Sequence, residues 1–493
     1  MRFTFRIIAG LISIGFVIFA HVLVASAGIN NKSQLEATRM KKTLMLHPDN
    51  SHYFLFRNKP TVLITSGEHY GAVLNLDFDY VKYLNELHSY KLNLTRLFSG
   101  VYCESPTSFN IQRNTLAPAS YRLICPWARS SVSGYANGGN KFDLNKWDEA
   151  YFKRLKDFIS QAGQRDIVVE VVLFCPYYGD EQWQLSPIKT INNINGIGDM
   201  PRTDVYTMKN SDMVAVHDAM VQKIVTELRD FDNIYYEICN EPYFGGVTLE
   251  WQYHIAFVIT GTEKSFPQKH LIAQNIANGS AKIEAPNPIV SLFNFHYATP
   301  PDAVGINYGL NRAIGDDETG FRGTANFPYR TEAWEFIIAG GATYSNLDYS
   351  FTANNEDGTF ELPSTQPGGG NKTLRNQLKI LKDFIHSFDF IKMSPDNSVI
   401  EGIEPSYVKG RVLAEIGKAY AVYLRLAESK DTLYSETDAK IKMKLPKGTY
   451  KFEWLNTKTG KIENSENVNH NGGVIELTSP IFVEDIALRI LTL

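Results

Sequence analysis

The sequence predicts an α/β fold: a (β/α)8 TIM barrel followed by a small antiparallel β-sandwich. Three observations predict it. Short β-branched apolar runs alternate with segments of helical period between residues 60 and 390. One run, Ile167 to Phe174, is apolar at nearly every position, the pattern of a strand buried on both faces of a parallel sheet. Beyond residue 398 the texture changes to short alternating segments joined by turns that carry Gly and Pro.

Thr61 to Thr65 is the first expected strand. Asp77 is placed to cap a helix running to Lys91, with Val81, Leu84, Leu87 and His88 on one face. Leu92 to Leu97 is the second strand. Residues 101–145, rich in Ser, Gly and Asn, read as a long loop. Lys146 to Ala162 spaces Phe152, Leu155, Phe158 and Ile159 at helical intervals and leads to the third strand. A second long loop, 179–210, precedes a helix from Ser211 to Arg229 and the fourth strand, Ile234 to Ile238. A helix over Thr248 to Thr262 is followed by strands at Leu271 to Ile276 and Val290 to Phe295, and the connection between these two carries the weakest helical signal. Arg312 to Asp316, a helix over Tyr329 to Ile338, a strand around Ala342 to Tyr349 and a helix over Leu374 to Phe388 complete the series. Eight strands favour a closed barrel over an open doubly wound sheet.

The C-terminal strands are expected at Gly410 to Glu415, Ala419 to Leu426, Ala439 to Leu445, Tyr450 to Trp454, Val474 to Leu477 and Ile486 to Leu491, making a sandwich over 398–493. At the other end, Arg2 and Arg6, the apolar run Ile7 to Val24 and the small residues Ala25-Ser26-Ala27 read as an export signal over 1–27. The expected destination is the periplasm or the exterior, with no stable membrane insertion once the signal is removed. Residues 28–59 form a polar N-terminal segment without clear period.

A formal net charge of −4, with no concentrated basic stretch, excludes nucleic acid and anionic membrane surfaces as expected partners. Four cysteines are too few for a disulfide scaffold. Cys103 and Cys125 flank one loop and could pair, whereas Cys175 and Cys239 sit near strand ends where buried thiols are expected. Neither zinc-ligand spacing nor a nucleotide-binding fingerprint occurs, and Asn354 to Gly358 lacks the ligand spacing of a calcium loop, so no metal or cofactor is expected.

Catalytic groups of such barrels lie at the C-terminal ends of the strands. The fourth strand ends in Asn240-Glu241-Pro242, and the seventh in Asp316-Asp317-Glu318-Thr319-Gly320. Two carboxyls from distant strands are what glycoside cleavage requires: one protonates the leaving oxygen, the other attacks or activates water. Taken alone, Asn240 with Glu241 could be a helix cap beside a surface acid, and the second group a solvated acidic turn. The pattern resembles glycoside hydrolase clan A, the cellulase-like retaining glycosidases. Asn240-Glu241-Pro242 matches the acid/base motif and Glu318-Thr319-Gly320 the nucleophile motif, while Arg96 matches an arginine ending strand two and His296-Tyr297 the strand-six pair.

The resemblance implies Glu241 as acid/base and Glu318 as nucleophile, with Asp316 and Asp317 as rivals. It implies Asn240 on a sugar hydroxyl, Arg96 holding Glu318 ionised, Tyr297 orienting it, and His296 near the sugar or Glu241. Strand eight lacks the tryptophan many members carry, so Trp127 and Trp183 in the rim loops, with Glu68, His69 and Tyr70 near strand one, are further expected carbohydrate-binding residues. The long rim loops could wall off one end of the cleft and favour exo action. The C-terminal part, by Trp454, Asn456, Thr459 and Gly460, vaguely resembles the collagen-binding-like β-domain that follows some exported glycosidase barrels. The resemblance implies an exported retaining β-glycosidase acting on a glycan or oligosaccharide. The alternatives are a non-catalytic carbohydrate-binding protein on the same barrel and an inverting hydrolase.

Overall fold

The structure, a computed structural model, describes residues 43–427 and 436–493. The expected export signal lies outside them. No described helix is long and apolar enough to cross a membrane.

Eight parallel strands form one sheet: β1 (Leu63–Gly67), β2 (Leu94–Phe98), β3 (Val168–Phe174), β4 (Ile234–Cys239), β5 (Ile272–Asn278), β6 (Leu292–His296), β7 (Ala313–Thr319) and β8 (Thr343–Leu347). Their ladder runs β1-β8-β7-β6-β5-β4-β3-β2. Asn93 closes the ring between β1 and β2. Its Oδ1 accepts from the Ile64 N–H at 2.9 Å, and its Nδ2 donates to the Val62 carbonyl at 3.0 Å. All seven residues of β3 are buried, as expected of a strand covered on both faces.

Among the helices are α1 (Tyr80–Ser89), α2 (Glu149–Gln164), α3 (Ser211–Leu228), α4 (Leu249–Thr262), α5 (Asp302–Asn307), α6 (Asn326–Ile338) and α7 (Lys372–Ile385), and a short further helix, Asp180–Leu185, lies within the expected loop 179–210. None joins β5 to β6. Asp79, not Asp77, caps α1, accepting from the N–H groups of Val81 and Lys82. That phase turns Tyr83, Leu84 and Leu87 inward and leaves His88 exposed, while Asp77 pairs with Arg122 at 2.6 Å.

Residues 101–145 are not one long loop. They hold most of a β-hairpin, Trp127–Ser133 with Asn140–Trp147, and α2 starts only after Asp148, its cap. The N-terminal segment contains a three-stranded antiparallel sheet between Met45 and Thr61, whose strands are too short to show a period in sequence. All four cysteines are buried free thiols, so Cys103 and Cys125 are unpaired.

The C-terminal part has a six-stranded and a three-stranded antiparallel sheet around a core that includes Val422, Ile441, Phe452, Trp454 and Leu488. Three of its strands, Ser394–Pro395, Ile400–Glu404 and Ile462–His470, have no counterpart in the sequence reading. The last is an edge strand with few apolar residues, exposed along most of its length. Helix α6 is buried on all sides because this sheet covers its outer face. Trp334 stacks on Tyr423 at 5.3 Å, and buried Arg330 meets Asp485 at 2.7 Å and Glu484 at 2.8 Å.

Candidate active site

A cavity of about 700 Å3 opens at the C-terminal ends of the barrel strands. Glu241, two residues past β4, and Glu318, near the end of β7, both line it. One carboxylate oxygen of each, with a ring nitrogen of His296, lie within 4.8 Å of one another. Glu241, Tyr297 and Tyr70 take positive φ, at 38°, 54° and 60°. For side-chain-bearing residues this backbone is strained by roughly 1–3 kcal/mol each, and such strain clusters where geometry serves function.

Glu318 is held from three sides. Tyr297 donates to Oε1 at 2.6 Å and Tyr70 to Oε2 at 2.8 Å. The Arg96 guanidinium lies 3.4 Å from Oε2 and 4.5 Å over the Tyr70 ring. These donors fix the position and aim of the carboxylate. Glu241 accepts from Tyr178 at 2.6 Å and from Tyr243 at 3.3 Å, and its Oε1 lies 3.1 Å from His296 Nδ1. The Asn240 side chain accepts from Arg96 at 3.0 Å and donates to Tyr178 at 3.0 Å, tying the two carboxyl environments together.

A second layer lies beneath, inside the barrel. Arg96 also meets Glu237 at 2.8 Å, Glu170 at 3.1 Å and Asp317 at 3.4 Å. Asn294 Nδ2 faces oxygens of Glu170, Glu237 and Asp317 at 2.9, 2.7 and 2.7 Å. An amide nitrogen carries only two hydrogens. Five buried carboxyls therefore surround two possible cations, Arg96 and His296, and the cluster must retain protons. Burial pushes Glu237 up to about 7 despite Arg96, and burial together with Asp317 pushes Glu170 well above the usual range. Burial also works against ionised Asp317, but Arg96 and His296 outweigh it and bring it down to about 2.

Burial opposes a charge on His296, yet Glu318, Asp317 and Glu241 hold the imidazole well above its ordinary range. Burial likewise favours neutral Glu241, but His296 and the Tyr178 hydroxyl hold it below the usual range. The oxygens of both carboxyl groups are engaged by protein donors, and Asn294 Nδ2 sits among the deeper trio. Both clusters close enough to ligate a cation are thus occupied by protein hydrogen bonds.

The remaining expected residues divide. Asp316 is buried, pushed up by burial and by nearby Glu332, and lines no part of the cavity. Asp317 points into the barrel core. His69 lines the cavity, but Glu68 does not. Glu68 is buried and accepts from the Gly71 and Ala72 N–H groups and the Thr115 hydroxyl, which makes it a fastener of the β1 exit rather than a sugar contact. Trp127 and Trp183 are also corrected. They are 1% and 2% exposed. Trp127 packs on Trp147 in the hairpin, and the Trp183 indole donates to the Met200 carbonyl. Neither presents a face to the cavity.

Aromatic surface at the mouth comes instead from Phe109, Phe244 and Phe321, each at least 40% exposed and lining the cavity. Sequence reasoning missed these and the tyrosines Tyr178 and Tyr243, and it placed Tyr70 at the rim without its bond to Glu318. Tyr178 follows β3 closely, so a search of every strand end for hydroxyl donors would have found it.

No family model matches the chain, and no curated protein matches it in sequence. In three dimensions the chain is similar to a candidate glycoside hydrolase from Bacteroides vulgatus, with TM-score 0.63 and 13% identity over 92% of this chain and 83% of that one. It is also similar to a glycoside hydrolase (TM-score 0.59, 15% identity, covering 92% and 97%) and to a family 5 glycoside hydrolase from Bacteroides vulgatus (TM-score 0.61, 14% identity, covering 91% and 92%). At these identities the likeness is one of fold.

Proposed function

We propose that this chain is an exported glycoside hydrolase that cleaves a β-linked glycan or oligosaccharide with retention of configuration. The observation that carries the reading is the approach of Glu241 and Glu318 to within 4.8 Å across one cavity. Carboxyls about 5–5.5 Å apart suit direct attack on the anomeric carbon, whereas about 6.5–9.5 Å leaves room for an intervening water. The shared fold of the glycoside hydrolases named above supports the same class.

In the first half-reaction a Glu318 oxygen attacks the anomeric carbon as Glu241 gives its proton to the departing oxygen. The product is a glycosyl ester of Glu318 and a free alcohol. In the second, Glu241 takes a proton from water, the hydroxyl oxygen bonds to the anomeric carbon, and Glu318 leaves as a carboxylate. Two inversions return the original configuration. Tyr70, Tyr297 and Arg96 keep Glu318 aimed.

Glu241 needs its proton at the start. His296 Nδ1, 3.1 Å away, is the group that can deliver it. An uncharged sugar filling the cavity excludes water, which favours the neutral pair over the ion pair. Once Glu318 is esterified its charge is gone, and Glu241 is left ionised to act as base.

Glu318→Gln and Glu241→Gln, assayed on activated aryl β-glycosides, test the reading. Glu318→Gln is expected to fold and lose turnover. Glu241→Gln is expected to keep the first step with an acidic leaving group and to be rescued by azide, giving a β-glycosyl azide. Unimpaired turnover by Glu318→Gln would remove the proposal.

A further inference from the structure

The catalytic cavity is walled on one side by a bridge. The segment between β2 and the Trp127 hairpin crosses to the segment after β8. The Gln112 N–H donates to Gln366 at 3.1 Å, its side chain to Thr365 at 3.0 Å, and Arg113 to Asn355 at 3.3 Å, with the guanidinium 4.9 Å over Phe360. Because β1 lies between β2 and β8 in the barrel, this bridge passes in front of the β1 exit. It is fastened there as well: the Thr115 hydroxyl lies 2.6 Å from Glu68 and 2.9 Å from the His69 carbonyl. Toward β3, Ser108 donates to Glu181 at 3.2 Å. Phe109, on the same segment, reaches Tyr178 at 5.4 Å and Phe321 at 6.5 Å between ring centroids.

Behind the bridge two polar side chains face the cavity. Glu104 is buried and accepts one hydrogen bond on each oxygen, from Tyr102 at 2.9 Å and from Asn114. Each oxygen keeps a lone pair free. His69 is 9% exposed, and its ring lines the cavity beside Glu104. On the opposite side, past β4, Tyr243 and Phe244 are 37% and 42% exposed and no comparable bridge closes the cavity. Glu241 stands on this open side. As the acid it faces the leaving group, so the departing part of the substrate exits there and the retained sugar lies toward β1, β2 and β8.

We propose that the walled end is a blind subsite for the terminal sugar, and that the chain acts exo, releasing one neutral β-glycosyl unit whose adjacent hydroxyls are bound by Glu104 and His69. The proposal rests on the glycosidase reading. Hydroxyls donate to Glu104 and meet the edge of the His69 ring that lines the cavity. A uronic acid is disfavoured, because Glu104, Glu241 and Glu318 face the cavity and the cation that lines it, Arg322, already pairs with Glu332 at 3.8 Å.

The test uses the full chain, a panel of aryl β-monoglycosides of neutral sugars and uronic acids, and β-linked oligosaccharides labelled at the reducing end. The expected result is turnover of a neutral aryl monoglycoside, no turnover of the uronides, and oligosaccharides shortened one sugar at a time. His69→Ala and Glu104→Gln should raise KM by about tenfold or more, since each strands a buried polar partner, with a smaller change in kcat. Internal cleavage giving mixed lengths would overturn exo action while leaving the glycosidase reading in place, and wild-type KM in both variants would overturn the assigned subsite. No turnover of any substrate by the wild-type chain would remove both readings together.

Discussion

Replacing Arg96 by Gln should make the stability of the barrel strongly dependent on pH. Arg96 is buried and lies within 3.4 Å of Glu170, Glu237, Asp317 and Glu318. Removing one partner of such a buried pair costs about 3–5 kcal/mol when the orphaned charge stays ionised. These carboxyls can take up protons instead. Asp317 changes most, because Arg96 is the chief influence drawing it down to about 2 against the push of burial. Between about pH 2 and its unfolded value near 4, wild-type Asp317 is ionised when folded and protonated when unfolded, so wild-type stability rises with pH while that of the variant, protonated in both states, does not. Above that value, wild-type Asp317 is stabilising because its folded pKa is depressed. In the variant its folded pKa is raised, so folded Asp317 retains a proton that the unfolded chain releases, and stability falls as pH rises. One proton corresponds to about 1.4 kcal/mol per pH unit. The gap should therefore widen by roughly that much per unit from about pH 2 upward until the variant's Asp317 ionises. Thermal melts of Arg96→Gln and wild type at pH 5, 6, 7 and 8 check it. A gap that stays constant over this range, or no destabilisation at pH 8, would refute the claim that Arg96 sustains the charge of the carboxyls beneath the site.

Other outcomes follow from the same geometry. Tyr297→Phe should lower kcat/KM by about 10–100-fold with little change in melting temperature, since it removes one charge-assisted hydrogen bond of about 1.5–3 kcal/mol from Glu318. His296→Gln should move the alkaline limb of the kcat/KM profile to lower pH: the histidine, held well above its ordinary range, keeps the proton needed by Glu241 available as pH rises. A pH series on an aryl glycoside reads this directly, and an unmoved limb would contradict the proton-delivery role. Trp183→Ala should cost about 3–5 kcal/mol of stability while leaving the KM of the folded fraction unchanged, as its ring packs in the core and not against sugar. Arg330→Met should loosen the C-terminal sheet from α6, seen as a lower melting temperature of about 3–5 kcal/mol equivalent or as a split transition, because Asp485 is left buried without its cation.

The barrel was legible because its signal is local: each strand is an apolar run ended by polar residues, and β3 shows its two-sided burial in every position. Glu241 and Glu318 stood out for the same reason, each within a contiguous motif at a strand end. Arg96, His296 and Tyr297 were legible through their motifs too, and each stands beside one of the two carboxyls. Which carboxyl Tyr70, Tyr178 and Tyr243 meet is set only by the closure of the ring, and no spacing in the chain encodes that. Trp127 and Trp183 mislead because a tryptophan in a loop-like stretch looks alike whether it faces solvent or a hairpin's own core. Met45–Thr61 and Ile462–His470 went unread because very short strands and polar edge strands carry no period. Glu170 and Glu237 alternate with apolar neighbours in central strands, where an acid is expensive. That anomaly pointed into the barrel beneath the site and was the one strong signal left unused.

The most direct measurement is the identity of the side chain that bonds to sugar. An activated 2-deoxy-2-fluoro β-glycoside of a sugar the chain hydrolyses should inactivate it stoichiometrically, and peptide mass spectrometry should place the adduct on Glu318. An adduct on Asp316 or Asp317, or turnover with no adduct and an inverted first product, would contradict the account.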